Sequence, residues 1–277
     1  MRLKTLLGDY PVTRALKSGE IAGGAIELEF ADVKLPQSAF KRVVRNLEFD
    51  VAELALVTYL LAKAEGKPYR LLPAVLTARF QHPFLCYNAE RGPLSPEKLE
   101  GKRVGQRSYS VTTATWLRGV LAEDHGVDLS KVRWVTFEEP HVAEFRDPPN
   151  VARVPAGKDM AGMLLSGELD AAILGELPKD PRLRSLIPDP EAAARAWCAR
   201  TGANIQINHM VVVRDSIASP LKNKIYESFV MSKKAAGNPV TNPFGIEENR
   251  RNLEAAIDCV HRQGMIPRRF SVEELFA

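Results

Sequence analysis

The sequence lacks the features that mark several large classes of protein. It has only 3 cysteines in 277 residues, and because none stands in a CxxC or Cys/His spacing, we expect buried free thiols rather than a disulfide framework or a local zinc motif. No apolar run approaches the roughly 18 to 20 residues that a membrane helix needs. The apolar pair Leu6 and Leu7 is too short for the core of a signal peptide. With Met1 as the natural start we expect a cytoplasmic protein without a membrane span, whereas a trimmed leader would indicate the periplasm.

The charge pattern also argues against several partners. There are 38 Lys and Arg residues against 34 Asp and Glu residues, and the formal net charge of +4 is scattered rather than massed in one tract. No nucleic-acid-binding motif is present, so we expect no nucleic-acid partner. The glycines of "GKRVGQ" do not complete a GxGxxG or Walker pattern. A small anionic ligand suits this mild basicity at least as well.

The order of predicted elements indicates two α/β lobes. The opening reads strand, helix, strand, helix, strand, with residues 25–33 alternating apolar and acidic side chains as a half-exposed strand does. A Pro- and Gly-rich stretch near residues 88–101 precedes a second alternating set. The terminal strand and helices have no new sheet to join, so we expect them to return to the first lobe. The predicted division is residues 1–90 plus 209–277 for lobe 1 and 91–208 for lobe 2.

Several stretches of the chain match a known family. They are "GDYPVTRALKSG", "EFDVAELALVTYL", "ARFQHPFLCYN", "LEGKRVGQRSYSVTTATWLRGVLAEDHGV", "LIPDP", "RTGANIQINHMVVVRDS" and "GIEENRRNLEAAIDCVHRQGMIPRRFSVEELF". On these stretches the chain resembles the 4,5-dihydroxyphthalate decarboxylase family. The resemblance implies a two-lobed α/β fold of the type II periplasmic-binding-protein class, with a ligand cleft between the lobes. The chain departs from the family in "VTFEEPHVAEFRDPP", in Gly175-Glu176, and in a shorter region before "NPFGIEENR".

Three ionisable residues are the candidate catalytic groups. Glu53 interrupts an apolar strand-to-helix run, and because a buried carboxylate is costly unless it has a partner, we favour a place lining the ligand cleft over a satisfied place in the core. His82 and His209 stand at the two predicted lobe crossings. Two histidines and a glutamate could hold a divalent metal ion, although no local spacing motif supports that alternative. We favour general acid and base catalysis by these three residues, since histidine exchanges protons near neutral pH.

The remaining candidates are substrate-binding residues. Hydroxyl-rich helix starts and nearby arginines can grip carboxylates, and the resemblance makes the divergent second-lobe positions candidates for altered specificity. The predicted set is Thr13, Arg14, Arg79, Tyr109, Ser110, Thr112, Thr113, His141 and Glu176. Plain helix capping and solvated surface arginines are the competing interpretations of the hydroxyls and of Arg14.

The resemblance implies a non-oxidative carboxy-lyase for a small aromatic carboxylate such as 4,5-dihydroxyphthalate, with no organic cofactor expected. The main alternative is a non-catalytic solute-binding protein of an ABC-type transporter that closes on a small anion. A relative of the menaquinone-pathway futalosine enzymes, which use the same fold, is a third. Self-association into a homo-oligomer stays open.

Overall fold

The residues described by the computed structural model are 1–21 and 26–277, and the chain divides into two compact units. Unit 1 contains Met1–Arg79, His141–Glu144 and Ile207–Ala277, and unit 2 contains Phe80–Pro140 and Phe145–Gln206. Each unit is built around its own sheet.

The helices and strands alternate along much of the chain. In chain order they are β1 (Arg2–Leu6), α1 (Pro11–Lys17), β2 (Glu27–Phe30), α2 (Phe40–Asn46), β3 (Val51–Ala55), α3 (Leu56–Ala64), β4 (Tyr69–Ala78), β5 (Leu85–Asn88), β6 (Arg103–Gln106), α4 (Thr112–His125), β7 (Arg133–Thr136), β8 (Val151–Arg153), α5 (Met160–Ser166), β9 (Ala171–Ile173), β10 (Leu183–Ser185), α6 (Pro190–Thr201), β11 (Ile207–Arg214), α7 (Ser219–Ala235) and α8 (Ile246–Arg262). Ala25, where the sequence predicts a strand to begin, lies outside the described residues.

The sheet of unit 1 has the strand order β2-β1-β3-β11-β4. Strand β1 runs parallel to β2 and β3, and β11 runs antiparallel to β3 and β4. The run Val211–Val213 favours a strand because β-branched side chains pack well on a pleated surface, and all three valines are buried. All five residues of β3 are buried as well. A polar side chain on β3 is therefore enclosed and needs partners from its neighbours.

The sheet of unit 2 has the strand order β10-β5-β9-β6-β7-β8. Strand β6 runs parallel to β7 and β9, whereas β5 runs antiparallel to β9 and β10. Helix α4 follows β6 after a short connection, and its C-terminal Gly126 adopts a φ of 65°, the left-handed conformation that favours glycine. Because β6 and β7 run parallel, their carboxyl ends lie at the same edge of this sheet.

The contact division differs from the predicted boundaries in three places, one of which is the return crossing, where Ile207 and Asn208 lie in unit 1 and not in lobe 2. Residues 80–90, which the sequence analysis assigns to lobe 1, lie in unit 2, because β5 pairs with β9 and β10 rather than with the first sheet. His141–Glu144, which the sequence analysis assigns to lobe 2, lies in unit 1. The apolar run of "FLCYN" predicts a buried strand, but it does not tell which sheet the strand will join.

Two other sequence expectations bear on the fold. In the described part of the chain, no helix is both long enough and apolar enough to cross a membrane. The cysteines form no disulfide with one another. Cys86 and Cys259 are buried, and Cys198 is partly exposed.

Candidate active site

A buried glutamate forms the centre of a polar cluster in unit 1. Glu53 lies in the middle of β3 and has no exposed surface. Its Oε2 accepts a hydrogen bond from the Gly8 backbone N–H at 2.9 Å, and its Oε1 accepts one from Tyr10 Oη at 2.7 Å. Donors of this kind stabilise the charged form of a carboxylate that has lost its water. Glu53 is therefore held as an acceptor with both oxygens occupied.

The third partner of Glu53 is a histidine from the neighbouring strand. His209 on β11 lies opposite Ala55 of β3, and its Nδ1 is 2.6 Å from Glu53 Oε1. Because the carboxylate accepts, the proton of a neutral His209 ring stands on Nδ1 and the lone pair on Nε2. Phe40 packs edge-on to the ring with a centroid separation of 5.2 Å. The carboxylate and the aromatic ring fix both the tautomer and the orientation of His209.

The other ring nitrogen of His209 is available for chemistry. The side chain keeps 19% of its surface exposed, whereas that of Glu53 keeps 0%. No hydrogen bond joins Nε2 to the residues that the structure describes. A histidine anchored through Nδ1 by a carboxylate and open at Nε2 can take up a proton and deliver it to a bound molecule.

Tyr10 completes the cluster as a permanent donor. Burial raises the pKa of Tyr10 above its ordinary value, and the negative charge of Glu53 raises that pKa further. Its hydroxyl therefore keeps its proton at neutral pH. A Cβ on Gly8 would approach the Tyr10 ring to 2.6 Å, so the absence of a side chain at position 8 lets Tyr10 lie against Glu53. Neither Gly8 nor Tyr10 is among the site residues predicted from the sequence.

Two predicted substrate-binding residues beside this cluster have other partners. Thr13 is fully buried, and its hydroxyl donates to the Gly8 carbonyl oxygen at 2.7 Å and accepts from the Tyr10 N–H at 2.9 Å. It therefore caps α1, which is the competing interpretation given above. Arg14 is exposed and lies 3.6 Å from Asp9, a solvated pair of small energetic weight.

The surroundings of His82 do not suit a proton donor. It lies in a single 3-10 turn of unit 2 (His82–Phe84) with no exposed surface. Neither ring nitrogen has a hydrogen-bond partner among the described residues. Burial lowers its pKa to about 4, against a smaller opposite effect of the Asp124 charge. A ring that is neutral at pH 7 and enclosed cannot supply a proton as His209 can.

This buried histidine makes stability depend on pH. The unfolded chain takes up a proton on His82 as the pH falls below about 6.5, but the folded protein does so only near pH 4. The contribution of neutral, buried His82 to the free energy of unfolding is therefore fully present above pH 6.5. It is lost progressively as the pH falls from 6.5 to about 4, by up to about 3 kcal/mol. We expect His82→Leu to remove this part of the acid destabilisation, measured as the change in unfolding free energy in urea between pH 7 and pH 4.5.

The exposed His261 on α8 provides the control for this measurement. His261→Gln is expected to leave the pH dependence of the wild type in place. Equal acid destabilisation in the His82→Leu variant and the wild type would contradict the assignment of a buried neutral ring.

The other predicted residues are distributed over both units. Arg79 follows β4 in unit 1 and is exposed, and Glu176 is exposed in the loop after β9. His141 is buried in unit 1, not in the second lobe as expected, and its Nδ1 lies 2.8 Å from Thr58 Oγ1. Its carbonyl oxygen accepts a hydrogen bond from Arg45. His141 thus holds its segment in unit 1.

The hydroxyl-rich stretch of unit 2 leads into α4, as its residue types predict. Ser110 and Thr112 are buried and Thr113 is partly exposed. The ring of Tyr109 lies under the guanidinium of Arg118, 3.7 Å from the ring centroid. Tyr109 therefore acts as a packing surface for a buried cation, a role that its place in "SYSVTT" does not reveal.

The metal alternative requires a cluster of ligands. Among residues 1–21 and 26–277, no group of three or more His, Cys, Asp or Glu side chains is arranged to hold a metal ion. Glu53 and His209 are in contact, and His82 belongs to the other unit.

Comparison with characterised proteins places this site in a family. No family model matches the chain. A 4,5-dihydroxyphthalate decarboxylase of Comamonas testosteroni is 28% identical over 319 aligned residues, covering 100% of this chain and 96% of that protein. One from Pseudomonas putida is 33% identical over 210 residues, covering 71% of this chain and 81% of that protein. The chain belongs to the 4,5-dihydroxyphthalate decarboxylase family.

Membership in this family confirms the resemblance seen in the sequence, and it places the chain among carboxy-lyases. The fold is confirmed separately. The alkanesulfonate-binding protein SsuA from Xanthomonas axonopodis pv. citri superposes with a TM-score of 0.58 at 10% identity, covering 99% of this chain and 97% of that one. The chain therefore has the two-lobed α/β fold of type II periplasmic binding proteins.

Proposed function

We propose that this protein is a decarboxylase of a small hydroxylated aromatic carboxylate such as 4,5-dihydroxyphthalate, with His209 as its proton donor. The observation that carries the proposal is the His209 ring, which is anchored through Nδ1 to the buried Glu53 carboxylate at 2.6 Å while 19% of the His209 side-chain surface stays exposed. Membership in a family of decarboxylases supplies the reaction class.

The reaction requires one proton and one bond cleavage. Protonated His209 delivers its Nε2 proton to the ring carbon that bears the departing carboxylate. A hydroxyl para to that carbon delocalises the positive charge that appears in the ring. The carbon–carbon bond then breaks, its electron pair returns to the ring, and CO2 leaves. The products are the arene with hydrogen in place of the carboxylate, CO2, and a neutral His209 that recovers its proton from solvent.

Glu53 supports this proton transfer without touching the substrate. Both of its oxygens accept hydrogen bonds from the protein, namely from Gly8, Tyr10 and His209, so we assign it no role as a general base toward the substrate. Its Oε1 accepts from Nδ1 and so keeps the proton of neutral His209 on that atom. Glu53 is a positioning residue, and every step uses protein groups without an organic cofactor.

The direct test follows CO2 release by the purified protein. We expect release from 4,5-dihydroxyphthalate, and none from phthalate, because phthalate lacks the hydroxyl that accepts the charge. Thermal shift on the same samples reports binding independently of turnover. A ligand-induced shift with both compounds and no CO2 from either would instead indicate a solute-binding protein, and it would overturn the proposed reaction.

A further inference from the structure

A set of buried polar atoms in unit 2 has no function in the reaction described above. Gln106 ends β6 and Thr136 ends β7, and the two residues are direct partners in the parallel register. Neighbouring residues in parallel register present their side chains to the same face of the sheet. Ser108 follows two residues after Gln106. The carboxyl edge of parallel strands is where ligands of α/β proteins bind.

These side chains are enclosed and leave donors unused. Gln106 and Thr136 are 0% exposed and Ser108 is 1% exposed. Within the described residues, Gln106 Nε2, Ser108 Oγ and Thr136 Oγ1 have no hydrogen-bond partner. Buried polar groups are normally paired, and each unpaired one is costly to the folded protein. Three such atoms at neighbouring positions indicate a partner that is not part of the chain.

The charge around these atoms favours an anion. Arg118 of α4 is fully buried, and its Nη1 donates to Gln106 Oε1 at 2.7 Å. Its Nη2 donates to Thr115 Oγ1 at 3.2 Å, and the guanidinium stacks on Tyr109. Because Oε1 of Gln106 is engaged, the amide presents Nε2 as its donor. The site thus combines an amide N–H, two hydroxyls and a fixed positive charge nearby.

We propose that Gln106, Ser108 and Thr136, in the field of Arg118, bind a carboxylate of a small anion, and we name these four residues the carboxylate pocket. Carboxylate oxygens accept from amide and hydroxyl donors, and a guanidinium strengthens such bonds by its charge. The identity of the anion as an aromatic dicarboxylate rests on the proposed function. The donors themselves require only a carboxylate.

Phthalate is the probe, because it carries two carboxylates and lacks the ring hydroxyls that the reaction requires. Calorimetry of phthalate binding is compared in the wild type and in Ser108→Ala, Thr136→Val and the double variant. We expect the double variant to bind phthalate at least about tenfold more weakly, since two donors to a charged group are lost. The thermal midpoint of the free protein should stay equal or rise, because both removed hydroxyls lack partners.

A matched control is available in unit 1. Ser232 of α7 is also fully buried with an unpartnered hydroxyl, and Ser232→Ala should behave like the other variants in thermal stability but bind phthalate as the wild type does. Benzamide, a neutral compound, serves as the second probe, and its binding should not change in the double variant.

Three outcomes would overturn the pocket: no phthalate binding by the wild type, unchanged phthalate affinity in the double variant, or a strong loss of stability without a loss of affinity. Unchanged phthalate affinity in the double variant would mean that these donors bind internal water only. Failure of the proposed function is distinguishable, because a protein that binds phthalate through these residues and releases no CO2 from 4,5-dihydroxyphthalate keeps the pocket and loses the reaction.

Discussion

Replacing His209 with Asn is expected to lower kcat for CO2 release by about 10²- to 10⁴-fold, the usual contribution of a positioned proton-transfer group. Asn is the informative substitution because its amide nitrogen can take the place of Nδ1 and donate to Glu53, which accepts at 2.6 Å in the wild type. The variant therefore keeps the partner of a buried carboxylate. It lacks any group in the place of Nε2. Initial rates with 4,5-dihydroxyphthalate, with folding checked by circular dichroism, measure the effect.

His261→Gln is the control for this substitution, since it removes an exposed histidine from α8 and should leave kcat within twofold. A His209→Asn variant that stays folded and keeps kcat within tenfold of the wild type would contradict the role of His209.

Some of this site could be predicted from the sequence alone. Glu53 stands out because a carboxylate inside an apolar strand must have a partner, and the structure gives it Tyr10 and His209. The partners were not predictable as contacts, because they lie 43 and 156 residues away along the chain. Pairing of β11 with β3 in a particular register brings His209 to Glu53. Register depends on the whole sheet and not on the local pattern.

Burial is the property of the candidate residues that the sequence does not display. Residue type and a place at the edge of an element make His82 and Thr13 candidates for the site, and both side chains are fully buried in the fold. Likewise "FLCYN" predicts a strand correctly, but β5 joins the second sheet, because a short apolar run fits any sheet with an open edge. Assignment to a unit depends on long-range pairing that one sequence does not display.

Glu53→Gln should cost as much activity as loss of the histidine, for a reason that lies in hydrogen-bond directions. The Oε1 side faces Tyr10 Oη and His209 Nδ1, and the Oε2 side faces the Gly8 N–H. A glutamine has one acceptor oxygen and one NH2 group. With the oxygen toward His209, the NH2 group meets the Gly8 N–H donor. With the oxygen toward Gly8, the NH2 group meets His209, whose Nδ1 must then accept.

The second orientation avoids a clash of donors at a backbone group that cannot turn, so we expect Glu53→Gln to move the proton of neutral His209 to Nε2. The imidazolium form also loses the negative charge beside it. A carboxylate that orients a catalytic histidine is worth up to about 10⁴ in rate, and we expect a fall in kcat of about 10² to 10⁴. Nitrogen NMR of labelled histidine reads the tautomer without reference to turnover.

Tyr10→Phe separates the carboxylate from its tyrosine donor. It removes one donor to Glu53 Oε1 and leaves the carboxylate and the Gly8 bond, so the tautomer of His209 should be retained and kcat should fall by less than about tenfold. Nitrogen NMR of both labelled variants makes the comparison. If Tyr10→Phe also moved the proton of neutral His209, or if Glu53→Gln kept that proton on Nδ1, then Glu53 would not control the tautomer of His209. A changed tautomer in Glu53→Gln alone would follow from the loss of one of the two acceptor oxygens of the carboxylate.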